Sequence, residues 1–326
     1  MKRTRLLLAT ASQLVTLFCA SWANGQAQIT DNTRQQSQAV TPQEMSMLQQ
    51  RANHGDARAQ WILGNAYREG VVVLQDYSAA ARWYAAASAQ GLADAQMALG
   101  YLYEHGEGVP KDYKEAFRYY QAAALQGNTN AQNNLGSLYK SGRGTLRNPA
   151  EAQRWYLASA QAGNPVAQCN LASMYFFSAG IHPDHEQAAR WFRAAAEKGI
   201  VEAQNDLAAM YYKGDGVPRN YTEAAGWARR AAAQGYPLAQ ETLAHLYEEG
   251  KGVPLDYISA YAWYSAAAAR GDRRSTAQIK SLAKIMLPEQ VSLAEARAHA
   301  WAAEHSKLAD TPELTDSGAL TFLPEK

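Results

Sequence analysis

The chain has 326 residues, 47% of them hydrophobic and 10% aromatic, which supplies enough apolar material for a sizeable core and excludes wholesale disorder. Its 31 basic and 30 acidic residues leave a formal charge of +1, so no bulk electrostatic drive toward nucleic acid or an anionic membrane exists. Two cysteines, Cys19 and Cys169, exclude a disulfide-stapled scaffold.

In chain order, Lys2, Arg3 and Arg5 precede the short apolar run Leu6 to Ala20, and Ser21-Trp22-Ala23 places small residues around a cleavage point. That is the anatomy of an export signal over 1–23, with an apolar run too short for a membrane span. It predicts a periplasmic or secreted protein with no integral membrane segment after cleavage. Lipid anchoring at Cys19 would want a small residue before it, where Phe18 stands. Loss of the three basic residues takes the formal charge to −2, and Cys169 is then the sole cysteine, leaving no intramolecular disulfide. Residues 24–40 form a polar linker. Thr41-Pro42-Gln43-Glu44 has the pattern of a capping box with proline at the first helical position, and Met45, Leu48 and Ala52 continue an apolar face, so 41–54 is expected to be an N-terminal capping helix.

From there a 36-residue period dominates. Gly55, Gly91, Gly127, Gly163, Gly199, Gly235 and Gly271 bound six units, 55–90, 91–126, 127–162, 163–198, 199–234 and 235–270. In each, an Ala-Gln pair such as Ala95-Gln96 leads to a Leu (63, 99, 135, 171, 207, 243) and, four residues on, a Tyr (67, 103, 139, 175, 211, 247). Ala, Leu and Tyr at intervals of four form one apolar stripe on a helix, A. A Gly-x-Gly turn such as Gly106-Glu107-Gly108 follows. It recurs with no strand before it, so it is a helix terminator and not a phosphate loop. In unit four Ser178 replaces the first glycine, and Leu146 and His182 stand where Pro110 does in unit two.

Asp76, Asp112, Asn148, Asp184, Asn220 and Asp256 then share one register, four of them with Glu or Gln three residues later, which is how a second helix, B, is capped. Helix B carries Ala80, Ala116, Ala152, Ala188, Ala224 and Ala260, each followed three residues on by Trp83, Tyr119, Trp155, Trp191, Trp227 and Trp263, a register that is expected to be core. One such pair cannot offset the entropy of ordering itself, so units must stack on one another.

At these residues the chain resembles the Sel1-like repeat family, relatives of tetratricopeptide repeats. The segment from Gly91 to Gln126 matches its pattern nearly throughout. The resemblance implies an all-α fold: a right-handed α/α superhelix, or solenoid, of six 36-residue helix-turn-helix repeats with N- and C-terminal capping helices. The closing part is a degenerate repeat and capping helix over 271–307, from Leu287-Pro288-Glu289-Gln290 through Ala294, Ala298 and Trp301, followed by a polar tail over 308–326 that is expected to be disordered.

By analogy with tetratricopeptide repeats, helix A positions two before, two after and five after the Leu face a concave groove. Trp61, Tyr101, Phe176 and Tyr212 would be its apolar anchors and His245 a polar member. Asn133, Asn134, Asn170 and Asn205 form an amide ladder suited to an extended peptide backbone, although Asn134 and Asn170 could equally satisfy neighbouring backbone. The expected function is a non-enzymatic scaffold or adaptor for a protein or peptide partner, in envelope regulation, assembly or host interaction, with no cofactor, metal or nucleic acid. The competing function is a serine hydrolase: Ser137-x-x-Lys140 and Ser281-x-x-Lys284 have the spacing of penicillin-recognising enzymes. Their Ser-Asp-Asn and Lys-Thr-Gly companions are missing, and Lys140 suits a helix end in any case. His182, Asp184 and His185 make the one compact metal-like cluster, on a turn where Asp184 already has a capping task.

Overall fold

A computed structural model describes residues 42–305 apart from 71, 178 and 179. The export signal (1–23), the linker (24–40), Thr41 of the first capping box, Ser178 and the tail from 308 lie outside the described residues. All regular structure among the described residues is helical. The helices are α1 (Pro42–Asn53), α2 (Ala57–Glu69), α3 (Tyr77–Ala89), α4 (Ala93–His105), α5 (Tyr113–Leu125), α6 (Thr129–Ser141) and α7 (Pro149–Gln161), then α8 (Pro165–Phe177), α9 (His185–Glu197), α10 (Val201–Lys213), α11 (Tyr221–Ala233), α12 (Pro237–Glu249), α13 (Tyr257–Ala268), α14 (Arg273–Leu282) and α15 (Pro288–Glu304).

The described residues form two compact units, one ending at Ala162 with α1–α7 and one beginning at Gly163 with α8–α15. In the first, A helices α2, α4 and α6 alternate with B helices α3, α5 and α7. In the second, α8, α10 and α12 alternate with α9, α11 and α13, and α14 and α15 close on α13. Within each unit every A helix packs on its own B helix, and each B helix on the next A helix.

The A-to-B turn is built by three registers acting together. Helix A stops at a glycine in the left-handed region, as at Gly106 (φ 77°), whose N–H bonds Leu102 O at 2.8 Å. The N-cap residues of the B helices then accept backbone N–H groups as expected, for example Asp112 from Lys114 N (2.8 Å) and Asp184 from Gln187 N (2.9 Å). Their own N–H groups donate to the carbonyl of the helix A tyrosine in all six repeats, at 2.8–3.0 Å, as in Asp112 to Tyr103 and Asp184 to Tyr175. That donor is therefore unavailable for a reciprocal capping box, and Glu115 and Glu151 instead pair with Arg118 (2.7 Å) and Arg154 (3.3 Å).

The second glycine of the turn has a different reason. A Cβ on Gly108 would lie 2.2 Å from the carbonyl carbon of Tyr77, at the start of the preceding repeat's helix B, and one on Gly144 would lie 2.0 Å from Tyr113 O. Backbone touches backbone there, which only glycine permits.

The core departs from expectation in one respect. The tryptophan register is only partly covered in four repeats, Trp83, Tyr119, Trp191 and Trp263, while Trp155 and Trp227 are buried. Arginines lie over several of its rings, as Arg118 does over Tyr119 at 4.1 Å. The centre of the core is the next residue along helix B: Tyr84, Tyr120, Tyr156, Phe192, Ala228 and Tyr264, each 0–1% exposed. Its ring lies on the small residue that follows the core leucine. A Cβ added at Gly64, Gly100 or Gly136 would come within 2.5–2.9 Å of the Tyr84, Tyr120 or Tyr156 ring.

The Ala-Gln pair links successive pairs of helices. Gln60 Nε2 donates to Ala52 O (3.0 Å), Gln132 to Ala124 O (3.2 Å), Gln204 to Ala196 O (3.0 Å) and Gln240 to Ala232 O (3.3 Å). In three repeats the carbonyl oxygen of this glutamine accepts from the glutamine that ends the same repeat's helix B: Gln90 to Gln60, Gln126 to Gln96 and Gln234 to Gln204, each 2.8 Å. Lys198 and Arg270, standing in that register, donate instead to the carbonyls of Gly163 and Gly235. Ala162 has nothing to donate, and Gln132 Oε1 is buried without a partner.

Candidate functional site

The A-helix positions outside the apolar stripe are held in place by α2, α4 and α6 in the first unit and by α8, α10 and α12 in the second. In four repeats part of this register is occupied with an internal task. The buried tyrosine of helix B needs a hydrogen-bond partner. Tyr84 donates to Asn65 Oδ1 (2.6 Å), Tyr120 to Glu104 Oε2 (2.7 Å) and Tyr264 to Glu248 Oε2 (2.7 Å), and Tyr156 shares a 2.8 Å bond with Ser137. Burial, acting first, lifts all four phenols; for Tyr156, where the Ser137 bond opposes it, to about 12. The signal missed in the sequence is a tyrosine one residue after the Trp register. Phe192 and Ala228 lack it, so repeats four and five make no such demand.

In the first unit Trp61 is 6% exposed, with the Arg58 guanidinium 5.5 Å from its ring centre. Tyr101 is half-buried and stacks on His105 with centroids 3.9 Å apart; burial and then the Glu107 carboxylate raise its phenol. Arg68, whose charge opposes that rise, pairs with Glu69 at 2.7 Å. Asn133 is 9% exposed and donates to Asn134 Oδ1 at 3.2 Å, so these two amides are brought together. Ser137, bonded to Tyr156, performs a structural task, and Lys140 lies in the last turn of α6.

In the second unit Asn170 is partly exposed on α8, and Asn205 is fully buried on α10, donating to the buried Asp206 at 3.3 Å. Phe176 stacks on His185 (4.6 Å), whose Nδ1 pairs with Asp215 of the following repeat's turn. Asp184 caps α9, and among the described residues no three His, Cys, Asp or Glu side chains are placed to hold a metal ion. Cys169 is half-buried and forms no disulfide.

Tyr212 and His245 belong to one polar cluster. Tyr212 donates to Glu249 Oε2 (3.1 Å), accepts from Lys251 Nζ (3.3 Å) and lies 3.5 Å from His245 Nε2. His245 Nε2 is 3.1 Å from Glu249 and its Nδ1 3.9 Å from Glu248. The His245 contact, against the effect of burial, holds the Glu248 carboxyl below its ordinary range. Glu241, one turn earlier on α12, is 8% exposed with Oε1 buried and unbonded. Burial first, then Asp272, raise its carboxyl.

The architecture defines an α-helical repeat protein made of consecutive A/B pairs, with no described helix long and apolar enough to cross a membrane. Comparison with known proteins names the family. The Sel1 repeat model matches at 57–92, 93–128, 129–164, 165–200, 201–236 and 237–272, six consecutive copies set two residues later than the glycine-bounded units, and the chain belongs to that family. Proteins built from these repeats are generally protein-interaction scaffolds.

Among solved structures the chain is similar to c5321, a protective antigen present in uropathogenic Escherichia coli strains, with 32% identity and a TM-score of 0.71 over 86% of this chain. The similarity spans 61% of that antigen, so the chain covers less than two thirds of its length. It is also similar to a Sel1 repeat protein from Oxalobacter formigenes, with 31% identity and a TM-score of 0.59 over 70% of this chain and 87% of that one. No curated protein matches the chain.

Proposed function

We propose that the chain is an exported scaffold that binds a protein or peptide partner through the A-helix face, the surface lining the inner curve of tetratricopeptide-type solenoids. It would act in the periplasm or outside the cell, in envelope regulation, assembly or host interaction. One observation carries the reading. On a register that the repeat leaves free to vary, half-buried aromatic and polar side chains accumulate, Tyr101, Phe176, Tyr212 and His245, none of which supplies the bond a buried helix B tyrosine needs. Side chains of this type anchor interfaces because they bury large areas at small entropic cost.

The test is quantitative capture from an envelope extract by the wild-type chain and by a Tyr101→Ala, Tyr212→Ala double variant. Asn133 and Asn205 are less suitable targets, since both are buried and their loss would disturb packing. A partner bound by the wild type is expected to be depleted at least tenfold by the variant, with the helical circular dichroism unchanged. Equal capture by both would refute the A-helix face. Export is checked by the intact mass of the protein from a periplasmic fraction, which is expected to start after Ala23.

A further inference from the structure

The polar stripe on α12 is ion-paired at one end and not at the other. At its exposed end Glu249 is matched by Lys251 (2.9 Å) and His245 (3.1 Å), and Glu248 by His245 and the Tyr264 hydroxyl. At its buried end stands Glu241, two residues before the core Leu243, where the other repeats carry Trp61, Met97, Asn133, Cys169 and Asn205. Glu241 is more than nine-tenths covered, and its Oε1 has no hydrogen-bond donor. A carboxylate in that position requires a cation or a proton. The charges acting on it do not meet the need. Asp272 repels it, and Arg274 and His245 attract it without forming an ion pair with it.

Resting on the scaffold function proposed above, we propose that the Glu241–His245–Glu248 stripe of α12 receives a lysine or arginine side chain of the bound peptide or protein. The chemistry narrows the ligand to an organic cation. No group of three metal-ligating side chains is assembled among the described residues. A covered carboxylate is reached most readily by a charge carried on a long apolar stem, which packs against the half-buried Tyr212 and His245 while its head meets Glu241. Arginine would add bidentate bonding to the carboxylate. The raised Glu241 carboxyl fits a group that awaits its counter-ion, since a cation arriving there would favour the ionised form.

The experiment pans phage-displayed random dodecapeptides on the full chain and measures the selected peptides, as labelled synthetic peptides, by fluorescence anisotropy. Selected sequences are expected to carry lysine or arginine. Glu241→Gln should weaken their binding at least tenfold, and replacing the peptide's basic residue by norleucine should weaken binding to the wild type equally. The two losses should not add when combined, and Arg274→Gln should leave binding intact. The norleucine arm uses the unaltered protein, so it stands even if Glu241→Gln perturbs folding. Peptides that need no basic residue, or that bind Glu241→Gln at full strength, overturn this proposal while leaving the A-helix face standing. Selection of no peptide, or of peptides indifferent to Tyr101→Ala with Tyr212→Ala, overturns that face and this proposal with it.

Discussion

Ala162→Gln tests whether the glutamine links between helices carry stability. Three repeats join the glutamine ending helix B to the Ala-Gln glutamine of helix A at 2.8 Å, while Gln132 Oε1, the same atom in repeat three, is buried and unpartnered because Ala162 stands opposite. The backbone at Ala162 (φ −75°, ψ 2°) is close to that of Gln90 (−89°, 5°) and Gln126 (−87°, 4°), so a glutamine fits there without strain. Satisfying a buried acceptor is worth about 0.5–1.5 kcal/mol net. Ordering an exposed glutamine side chain takes back part of that, which leaves a gain of about 0.5–1 kcal/mol. Urea denaturation followed by circular dichroism should show the midpoint rising. The gain should vanish in a Gln132→Ala background, where the acceptor is gone. A gain of the same size in that background would show that the substitution acts through helix propensity or the unfolded chain, and no gain at all would show that the link is ornamental.

The two kinds of turn glycine should separate in the same assay. Gly91→Ala, with φ +86° and open space around the new Cβ, should cost about 1–2 kcal/mol for the left-handed backbone alone. Gly108→Ala, with φ +68° and a Cβ 2.2 Å from the Tyr77 carbonyl carbon, should cost about 2–4 kcal/mol, and equal losses would refute the backbone-contact argument. At Glu241 the folded carboxyl titrates above its ordinary value, chiefly through burial and then Asp272, so between the two values the folded chain holds a proton that the unfolded chain has released. That contribution to stability is present below the ordinary value of 4.5 and is lost as pH rises through the raised one. Glu241→Gln should therefore be more stable than the wild type at neutral pH, with the advantage disappearing in acid; an advantage independent of pH would refute the assignment.

The 36-residue period made the helix pairs, the six N-caps and the turn glycines legible, because each is a local demand met by residue type and spacing alone. The depth of the core was harder to read. Trp83 and Tyr84 lie three and four residues after Ala80, and helical periodicity admits both. The choice falls to Tyr84 because Gly64 on the facing helix leaves room for a flat ring, a matter of packing between elements. The candidate surface was less legible for the same reason. Asn65, Glu104, Ser137 and Glu248 read as outward-facing positions, yet each bonds a tyrosine hydroxyl arriving from helix B sixteen or nineteen residues on. No pattern within helix A announces that need.

The same bond also indicates where variation has been released. Where helix B supplies a tyrosine, one A-helix position must remain a hydrogen-bond partner, and its identity is constrained by stability. Ala228 removes the hydroxyl in repeat five, and helix A of that repeat presents Ala209 and Tyr212 at the corresponding places. Tyr212, freed from serving its own helix B, reaches across to Glu249 and Lys251 of the next repeat, joining α10 to α12 through a polar cluster. Glu241 lies one turn before His245 of that cluster, on the only A helix that places a carboxylate two residues before its core leucine. A lapse in the repeat's internal bonding thus adjoins a buried carboxylate that has an oxygen without a hydrogen bond, and this coincidence, more than any single residue, directs the search for a ligand to the second unit.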